Sequence, residues 1–473
     1  MVFKLKSFFI LFIYILITAQ VFGQNKYTVS GYIKDATSGE NLIAATIYVK
    51  SNLEWASTSN MYGFYSLSIP EGSYTLVVQY LGFKTKEISI SLSQKKRLNI
   101  NLTPEAIVTE EVVVSAERKD ENVSGTSLGT VELNVEDIKT LPALMGEVDI
   151  LKTLQLLPGV QSAGEGNSGF YVRGGGPDQN LILLDEAVVY NTGHLFGFFS
   201  VFNADAIKNT TLIKGGMPAN YGSRLSSVVD VSMKDGNNKE YHAAGGIGLI
   251  SSRLTLEGPL INEKSSFMLS GRRTYVDVLM RPFLKGTESE GNSYFFYDLN
   301  AKANYRFSDK DRLLISGYFG RDIFNFKSEQ DDFGIKIPWG NATTTLRWNH
   351  LFSDKLFMNL SLIYNDYNFG LEASQNSYVF SLFSGIKDIN EKLDFDYYPN
   401  TNHHLKFGLE HTYHTFIPNM ASAISEEDSI YINPEESSKR YAHEWAMFVA
   451  DDFKINDVLK MNYGLRFSGF HQI

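Results

Sequence analysis

The sequence predicts a mainly β protein with three parts: a small N-terminal β-sandwich, a mixed α+β segment, and the first part, about ten strands, of an antiparallel transmembrane β-barrel. Hydrophobic residues make up 43% and aromatic residues 13% of the 473 residues, which is typical of a sheet-rich protein. Short strands separated by turns fill residues 27–103. After residue 238, polar and apolar residues alternate with a period of two, as strands of outer-membrane barrels do.

The first 23 residues are typical of a secretory signal peptide. Two lysines precede an apolar run over residues 8–17, which is too short for an ordinary membrane-spanning helix. No positive cluster follows the run, as a stop-transfer anchor would require, and Gly23 offers a cleavage point before Gln24. We therefore expect the mature chain to begin at or near Gln24.

The composition excludes two classes of protein. The chain has no cysteine, so an exported protein of this sequence has no disulfide framework. Its 43 basic and 53 acidic residues give a net charge of -10, which argues against nucleic acid as a partner.

Residues 27–103 contain short strands such as YTVSGYIKD, FYSLSIP and EISISL, with turns at ATSGE and PEGS. Their pattern resembles the carboxypeptidase-regulatory-like module in Gly31, Asp35, Gly63 and Gly82. The family has Gly-Ala before its second strand where this chain has Ala44, and since alanine replaces glycine readily only at negative φ, we expect a negative φ there. The segment has no zinc ligands and no catalytic glutamate, so we assign it no chemistry.

The linker over residues 104–130 contains a β-branched run between charged and flexible neighbours. Such a strand has no sheet of its own and is suited to pairing with the edge of another protein. The run resembles the TonB box of outer-membrane receptors, although an ordinary linker strand has the same pattern. The residues of this candidate box are Glu110, Glu111, Val112, Val113 and Val114.

Residues 131–238 predict a helix over 147–157, stopped by Pro158-Gly159, and five strands after it. The predicted strands cover residues 169–172, 181–184, 187–190, 210–213 and 228–233. The segment resembles, from end to end, the plug domain of TonB-dependent receptors, in the motifs LLPGV, FYVRGG, LILLDE, HLFGFFSVFN and LIKGGMPANYGSRLSSVVDVSMKDG.

The resemblance assigns structural roles to plug residues that fold tightly against a barrel wall. Glycines there allow backbone shapes and close approaches that a Cβ blocks. The two arginines of this set are expected to face carboxylates of the wall. The set is Arg173, Gly174, Gly175, Asp185, Gly215, Gly216, Tyr221, Gly222 and Arg224.

Two departures from the plug pattern bear on its anchoring. Glu186 stands where many plugs have glycine, which leaves the turn type open. Asn220 and Ser223 stand where relatives have arginine and glycine, which leaves the strength of anchoring open. For ligand contact, the hairpin before residue 190 should present the next loop to the outer mouth, although its aromatic residues could equally pack on the wall. The candidates are His194, Phe196, Phe198 and Phe199.

Residues 239–473 alternate as a barrel wall does. In LNAKANYRF, for example, Leu299 and Ala301 fall on one face and Asn300 and Lys302 on the other, so one face suits lipid and the other a filled lumen. Short turns at residues 307–310 and 352–355 contrast with long polar stretches such as 321–336 and 417–440. Plugged transporters have twenty-two strands, so about ten strands predict a fragment or a truncated gene.

No chemistry-bearing cluster emerges from the remaining residues. His403 and His411 fall on one face of a strand and His404 and His414 on the other, so we expect no shared metal site. No nucleophile, base and orienting group occur at a suitable spacing. We expect neither an enzyme nor a cofactor.

The resemblance implies a TonB-dependent receptor of the Bacteroidetes type in the outer membrane of a Gram-negative bacterium, with its N-terminal domains on the periplasmic side or in the barrel lumen. The implied function is energised uptake of a siderophore, vitamin, glycan or peptide. The implied partners are TonB with its inner-membrane energising complex, outer-membrane lipid, a small ligand and a surface lipoprotein. Two alternatives stay open: a sensor or adhesin acting through the N-terminal domain, and a non-functional truncated receptor.

Overall fold

The computed structural model describes most of the chain after the predicted signal peptide. The candidate TonB box, Glu110 to Val114, and residues 1–23 lie outside the described residues. The described residues are 26–105, 129–140, 146–164, 167–261, 263–328, 330, 332–376, 378–425, 431–432, 439–456 and 459–473.

The N-terminal unit is a sandwich of two four-stranded sheets, as the sequence predicts. One sheet has the order β4-β1-β7 with β8 also paired to β1, and the other has the order β3-β2-β5-β6. Buried apolar residues such as Val29, Ile47, Leu67 and Leu76 form one hydrophobic cluster. The strands are β1 (Lys26–Asp35), β2 (Thr46–Val49), β3 (Asn52–Thr58), β4 (Phe64–Pro70), β5 (Gly72–Gln79), β6 (Lys86–Leu92), β7 (Lys96–Arg97) and β8 (Ile100–Leu102).

The bend before β2 corrects one expectation. Ala44 has a φ of 55°, in the left-handed region, so the prediction of a negative φ is wrong. The bend keeps the backbone shape that a glycine would hold without strain, and the Cβ of Ala44 costs about 1–2 kcal/mol there. Backbone hydrogen bonds from Ala44 to Ser59 and from Ser59 to Ala45 hold the bend in this shape.

The plug segment is a mixed α+β unit around a five-stranded sheet of order β13-β12-β17-β16-β9, in which β12 and β17 run parallel. Two helices, α1 (Val135–Ile138) and α2 (Ile150–Leu154), pack in the same hydrophobic cluster as this sheet. The strands are β9 (Thr130–Asn134), β10 (Val160–Ser162), β11 (Phe170–Val172), β12 (Asn180–Leu184), β13 (Ala187–Val188), β14 (Gly193–His194), β15 (Phe199–Ser200), β16 (Ile207–Ile213) and β17 (Ser227–Met233).

Helix α2 is shorter than the predicted helix over residues 147–157. It begins after Asp149, whose side chain accepts a 3.1 Å hydrogen bond from the Lys152 backbone N–H as an N-cap does. After Leu154 the chain continues in tight turns to Pro158. Leu157 is nevertheless buried with Leu154 in the plug core, so the apolar face is correct although the helix is shorter.

The third segment is one antiparallel sheet of twelve strands in the described part of the chain, of which eleven follow one another in chain order and β27 pairs with β26. A further helix, α3 (Val276–Leu284), lies between β20 and β21. The strands are β18 (His242–Ile247), β19 (Ser251–Ile261), β20 (Ser265–Thr274), β21 (Ser293–Arg306), β22 (Asp311–Ser328), β23 (Phe333–Ser353), β24 (Leu356–Gln375), β25 (Tyr378–Asn400), β26 (His403–Ser425), β27 (Tyr431–Ile432), β28 (Arg440–Lys454) and β29 (Lys460–Gln472).

The two faces of this sheet have the polarity of a barrel wall. Along β21, Leu299 is 47% exposed, whereas its neighbours Asn300 and Lys302 are 1% and 5% exposed. The same alternation places Leu346 outward and Arg347 inward on β23. The apolar face is therefore the outer face, and the polar face is covered by the plug.

The connections differ between the two ends of the sheet. Short turns join β21 to β22 and β23 to β24, as predicted. At the other end, much of the predicted polar stretch over residues 321–336 is strand, because β22 and β23 continue their pairing as far as Ser328 and Phe333. Strands of 18 to 23 residues exceed the ~9–11 that cross a bilayer, so these hairpins project beyond it.

Among the described residues, no α-helix is both long enough and apolar enough to cross a membrane.

Candidate functional site

The plug meets the polar face of the sheet through buried charges, and the turn between β12 and β13 is one centre of them. Leu184 pairs with Ala187 across a two-residue loop of Asp185 and Glu186. Both loop residues are left-handed, with φ of 46° and 74°. This is the geometry of a type I′ hairpin, for which glycine is favoured at the second position. Glu186 thus holds a conformation that a glycine would adopt at lower cost.

The side chain of Glu186 explains why a glutamate is tolerated there. Its carboxylate lies 3.2 Å from Arg347 Nη2 on β23 and 3.9 Å from Lys392 Nζ on β25. Ser361 and Asn359 on β24 donate hydrogen bonds of 2.5 and 3.2 Å to the same carboxylate. Three adjacent strands of the wall therefore bind one plug side chain, which a glycine could not provide.

Asp185 is bound in a similar way by the neighbouring strands. Lys302 Nζ on β21 lies 3.0 Å from its carboxylate and 2.9 Å from that of Asp235, which follows β17. The backbone oxygen of Asp185 accepts hydrogen bonds from Thr345 and Arg347 of β23. We call Asp185, Glu186 and Asp235, with the wall cations Lys302, Arg347 and Lys392, the acidic clamp.

A second centre is the imidazole of His194. Its Nε2 lies 2.8 Å from Asp298 Oδ1 on β21, and its Nδ1 lies 2.6 Å from Asp322 Oδ2 on β22. The ring stacks on Phe296, with centroids 4.0 Å apart. Burial would lower the pKa of His194, but the two carboxylates outweigh burial and raise this pKa to about 9. The imidazole is therefore a buried cation at neutral pH.

Arg272 of β20 connects this histidine site to the start of the plug. Its guanidinium lies 2.6 Å from Asp298 Oδ2 and 3.3 Å from Glu147 Oε2 of the plug. The hydroxyl of Tyr318 donates a 2.8 Å hydrogen bond to Asp298 as well. Asp298 is thus shared by two cations and a phenol, which compensates the cost of burying its charge.

The loop before β17 contacts the last strands of the sheet. Arg466 of β29 donates hydrogen bonds of 3.3 and 3.5 Å to the backbone oxygens of Asn220 and Ala219, and Ser223 bonds the carboxylate of Glu444 on β28. A Cβ at Gly222 would lie 2.5 Å from Arg466 Nε, so a larger residue there would displace this arginine side chain from the loop. An arginine of the wall therefore binds the plug loop that contains Asn220 and Ser223.

The other plug residues singled out from the sequence lie within the plug. Arg173 has a φ of 49°, and its guanidinium lies beside Gly215, whose own φ is 88°. Arg224 donates to the backbone oxygen of Ser223. In the described residues neither arginine forms an ion pair with a wall carboxylate, so the expectation that both face such groups is not met. The Arg173 side chain is directed at its own plug. The ion pairs between plug and wall are instead formed by cations of the wall with carboxylates of the plug.

The remaining predicted plug positions have specific surroundings. Tyr221 donates a 3.0 Å hydrogen bond to Asp230, and burial, with this neighbour, holds the pKa of Tyr221 well above its usual range. A Cβ at Gly175 would lie 2.4 Å from Ser226 Oγ. Gly174 and Gly216 have positive φ.

The four candidate ligand residues separate into buried and accessible positions. His194 and Phe199 are 1% and 2% exposed, so they face the protein. Phe198 is half-buried beneath the ammonium of Lys152, 4.5 Å from the ring centroid. Phe196 is 61% exposed and has a left-handed φ of 53°.

Phe196 belongs to an aromatic group at the end of the lumen where the long hairpins lie. Its ring centroid lies 4.9 Å from that of Trp339 and 5.8 Å from that of Phe324. Trp339 stacks in turn on Tyr294 at 6.3 Å. The backbone N–H before it, at Leu195, donates to Asp322 and to Tyr294, which fixes the strained loop. An exposed aromatic side chain held rigidly is suited to contact with a ligand.

Sequence reasoning missed the wall partners of the plug. Asp298, Asp322, Lys302, Arg347 and Lys392 all occupy inward positions of strands whose alternation was correctly predicted. A charged residue at an inward position was the available signal, because a lumen filled by a plug requires each such charge to be paired.

The two families whose models match this chain cover its first two domains. Residues 29–114 match the CarboxypepD_reg-like domain, and residues 132–229 match the TonB-dependent receptor plug domain. The first match ends at residue 114 and so includes the candidate TonB box.

The chain is similar to TonB-dependent receptor P3 of Formosa agariphila, with 27% identity over 247 residues. That match covers 50% of this chain and 23% of the relative, so the chain spans about a quarter of the relative's length.

Solved structures that share the fold include a siderophore receptor, a ferric enterobactin receptor and a copper transporter. The siderophore receptor PirA of Acinetobacter baumannii has a TM-score of 0.52 at 18% identity, over 76% of this chain and 58% of that one. A variant of the ferric enterobactin receptor PfeA of Pseudomonas aeruginosa has a TM-score of 0.52 at 18% identity, over 76% of this chain and 60% of that one. The copper transporter OprC has a TM-score of 0.54 at 14% identity, over 73% of this chain and 55% of that one. The shared architecture is a plug within an antiparallel barrel wall.

Proposed function

Because this chain carries the plug domain of a TonB-dependent receptor behind a carboxypeptidase-regulatory-like domain, we propose that it serves in energised uptake of a scarce small ligand across an outer membrane. The observation that carries the proposal is a plug of this family seated on the polar face of a barrel wall through buried ion pairs. The plug blocks the lumen at rest, so passage of a ligand requires work on the plug.

The proposed work is done by TonB. The segment Glu110 to Val114 pairs edge to edge with a strand of TonB, and the main-chain hydrogen bonds transmit the pull. Since the acidic clamp and the His194 site hold the plug through charges that are costly to separate, a pull on the N-terminal side displaces the plug only with energy from outside.

The proposed ligand enters from the side of the long hairpins and meets Phe196. The similar proteins include a siderophore receptor, a ferric enterobactin receptor and a copper transporter, and vitamins, glycans and peptides stay within the proposed class. The rigid aromatic group of Phe196, Phe324 and Trp339 favours a ligand with a flat or apolar surface.

The coupling is tested at Val113, at the centre of the candidate TonB box. Proline at 113 removes one donor and fixes φ, so it should abolish binding of the purified C-terminal domain of TonB to the full chain. Alanine keeps the donor and should retain most of the affinity, since each main-chain hydrogen bond contributes ~0.5–1.5 kcal/mol. Equal binding of the Val113→Pro and Val113→Ala variants would place the TonB contact elsewhere.

A further inference from the structure

Helix α3 exposes large apolar side chains at the end of the sheet where the long hairpins lie. The helix follows β20 after one residue and consists of the nine residues VDVLMRPFL. Its largest side chain, Phe283, is 75% exposed. Such an exposed apolar cluster on a short helix indicates a surface that covers it. The exposed apolar residues of the helix are Val278, Leu279, Met280 and Phe283.

The first turn of α3 is fixed to the outer face of the sheet. Arg273, next to last in β20, has the same strand parity as the exposed Leu269, so its side chain points away from the plug. Arg273 Nη2 lies 3.0 Å from Asp277 Oδ2 in the first turn of the helix. Its guanidinium carbon lies 5.0 Å from the ring centroid of Phe295 on β21. The helix therefore begins over the outer face and not over the lumen.

The helix also begins where the outer face changes from apolar to charged. Strand β20 has ten residues between its short turn and the helix, and ~9–11 residues of a tilted strand cross a bilayer. Arg273, Tyr297 and Arg321 are cross-strand partners in one row on β20, β21 and β22. Exposed apolar residues such as Leu299 lie on the short-turn side of this row. The row thus marks the boundary of the apolar band, and α3 lies directly beyond it.

The side chains of α3 are distributed as in a helix that lies flat on a membrane. At 3.6 residues per turn, Asp277 and Arg281 share one stripe. Leu279 and Phe283 share the opposite stripe, which faces away from the sheet because Asp277 is bound to the strand end. A short charged stripe opposite a broad apolar face is typical of interfacial helices.

From this arrangement we propose that α3 is an in-plane membrane anchor, whose apolar face enters the acyl chains of the leaflet at the long-hairpin end. Continuity favours lipid over a protein partner, because the apolar outer face of β20 and β21 reaches the start of the helix. Acyl chains are common to membrane lipids, so the anchor requires no recognition of a headgroup. The inference rests on the proposed membrane location. The anchor holds the connection over residues 275–292 beside the wall and clear of the lumen.

The test measures the depth of single fluorescent probes in the full chain, which has no cysteine of its own. Cysteine variants carrying an environment-sensitive fluorophore are reconstituted in phosphatidylcholine vesicles with brominated acyl chains. Phe283→Cys is the test position, and Leu299→Cys on the outer face is the lipid-exposed control. Glu288→Cys, exposed in the same connection beyond the helix, is the matched control. Bromine should quench the 283 probe at least about threefold more than the 288 probe, because an interfacial helix buries its apolar face ~5–10 Å deep.

A second variant tests whether the apolar face itself inserts. Leu279→Glu places a carboxylate in the middle of that face, at an exposed position where the fold of the sheet is unaffected. It should reduce quenching of the 283 probe to the level of the 288 probe, while the 299 probe stays quenched. Unchanged quenching at 283 in this variant would overturn the proposal.

The 299 probe separates failure of the anchor from failure of its premise. Equal quenching at 283 and 288, with strong quenching at 299, would overturn the anchor and favour a protein partner for the apolar face. Absence of quenching at 299 as well would overturn the membrane location and the anchor with it. The measurement uses neither TonB nor the imported ligand, so failure of the proposed uptake function would leave it unaffected.

Discussion

His194 of the plug and Asp298 of the wall form a buried pair, with the imidazole Nε2 2.8 Å from the carboxylate Oδ1. Asp322 binds the other ring nitrogen, at 2.6 Å, so both nitrogens need a proton to satisfy both carboxylates. A neutral imidazole could donate to only one of the two carboxylates, so the other would lose its imidazole hydrogen bond and keep only its remaining donors, such as Arg272 at Asp298 or Leu195 N–H at Asp322. The charge state of His194 therefore decides whether this part of the plug is anchored.

The anchoring should depend on pH with a definite sign. The pKa of His194 is raised from 6.5 to about 9 in the folded chain. A raised pKa contributes stability that is complete below about pH 6.5 and is lost as the pH rises through about 9. His194→Gln should abolish this dependence and weaken the plug at pH 7 by ~3 kcal/mol, at 1.36 kcal/mol per pKa unit.

Hydrogen exchange of the segment around His194, measured from pH 6 to 10, checks this prediction after correction for intrinsic exchange. His350→Gln, which changes a histidine on the outer face, is the control and should keep the wild-type profile. A wild-type chain whose plug protection does not fall between pH 7 and 10 would contradict the buried imidazolium.

Glu186 offers a test of strain against charge. Glu186→Gly relieves a left-handed conformation worth ~1–2 kcal/mol. It also removes the buried carboxylate that Arg347 and Lys392 share, and breaking a buried pair costs ~3–5 kcal/mol. We expect a net loss of ~2 kcal/mol in the local opening free energy of β12 and β13, measured by hydrogen exchange.

Glu186→Gln separates the two contributions, because it keeps the side-chain volume and the strain but removes the charge. It should destabilise the hairpin more than the glycine variant does. If the glycine variant proves more stable than the wild type, the acidic clamp contributes little and the strain has another origin.

Much of the fold could be predicted from the sequence, because alternation and turn residues are local signals. The inward positions of Asn300 and Lys302 and the outward position of Leu299 follow from a period of two. The partners of these charges are set by packing between segments distant in the chain: Lys302 pairs with Asp185, 117 positions earlier. Alternation does not show which plug residue meets an inward charge, so the expectation that Arg173 and Arg224 face wall carboxylates is wrong.

Local backbone geometry was the other part that the sequence did not reveal. Ala44 and Glu186 both have a left-handed backbone, and both stand where the family patterns described above have glycine. At Glu186 the compensation is the set of wall contacts, and at Ala44 it is the backbone hydrogen bonding of the bend. In both cases tertiary contacts outweigh the local preference of the residue, which propensity alone does not predict.

Phe196 should be important for ligand binding and unimportant for folding. Its ring is 61% exposed, so Phe196→Ala should change the stability by less than about 1 kcal/mol. Loss of an aromatic stacking partner should weaken a bound ligand by about tenfold. Quenching of tryptophan emission, to which the adjacent Trp339 contributes, can be titrated with ferric siderophores, cobalamin and oligosaccharides, with Phe198→Ala as the half-buried comparison. If Phe196→Ala binds a ligand that quenches the wild type with unchanged affinity, Phe196 is not part of the ligand site.

The orientation of the sheet can be tested with single cysteines, because the chain has none of its own. Asp309 lies in the short turn between β21 and β22, and Asn376 lies at the opposite end, between β24 and β25. Short turns of outer-membrane barrels face the periplasm and long hairpins face the outside. An impermeant maleimide added to intact cells should therefore label Asn376→Cys and spare Asp309→Cys, whereas both should react after lysis. Labelling of the Asp309→Cys variant alone would show that the sheet has the opposite orientation. Phe196 would then lie at the periplasmic end of the lumen, where it could not meet a ligand arriving from outside.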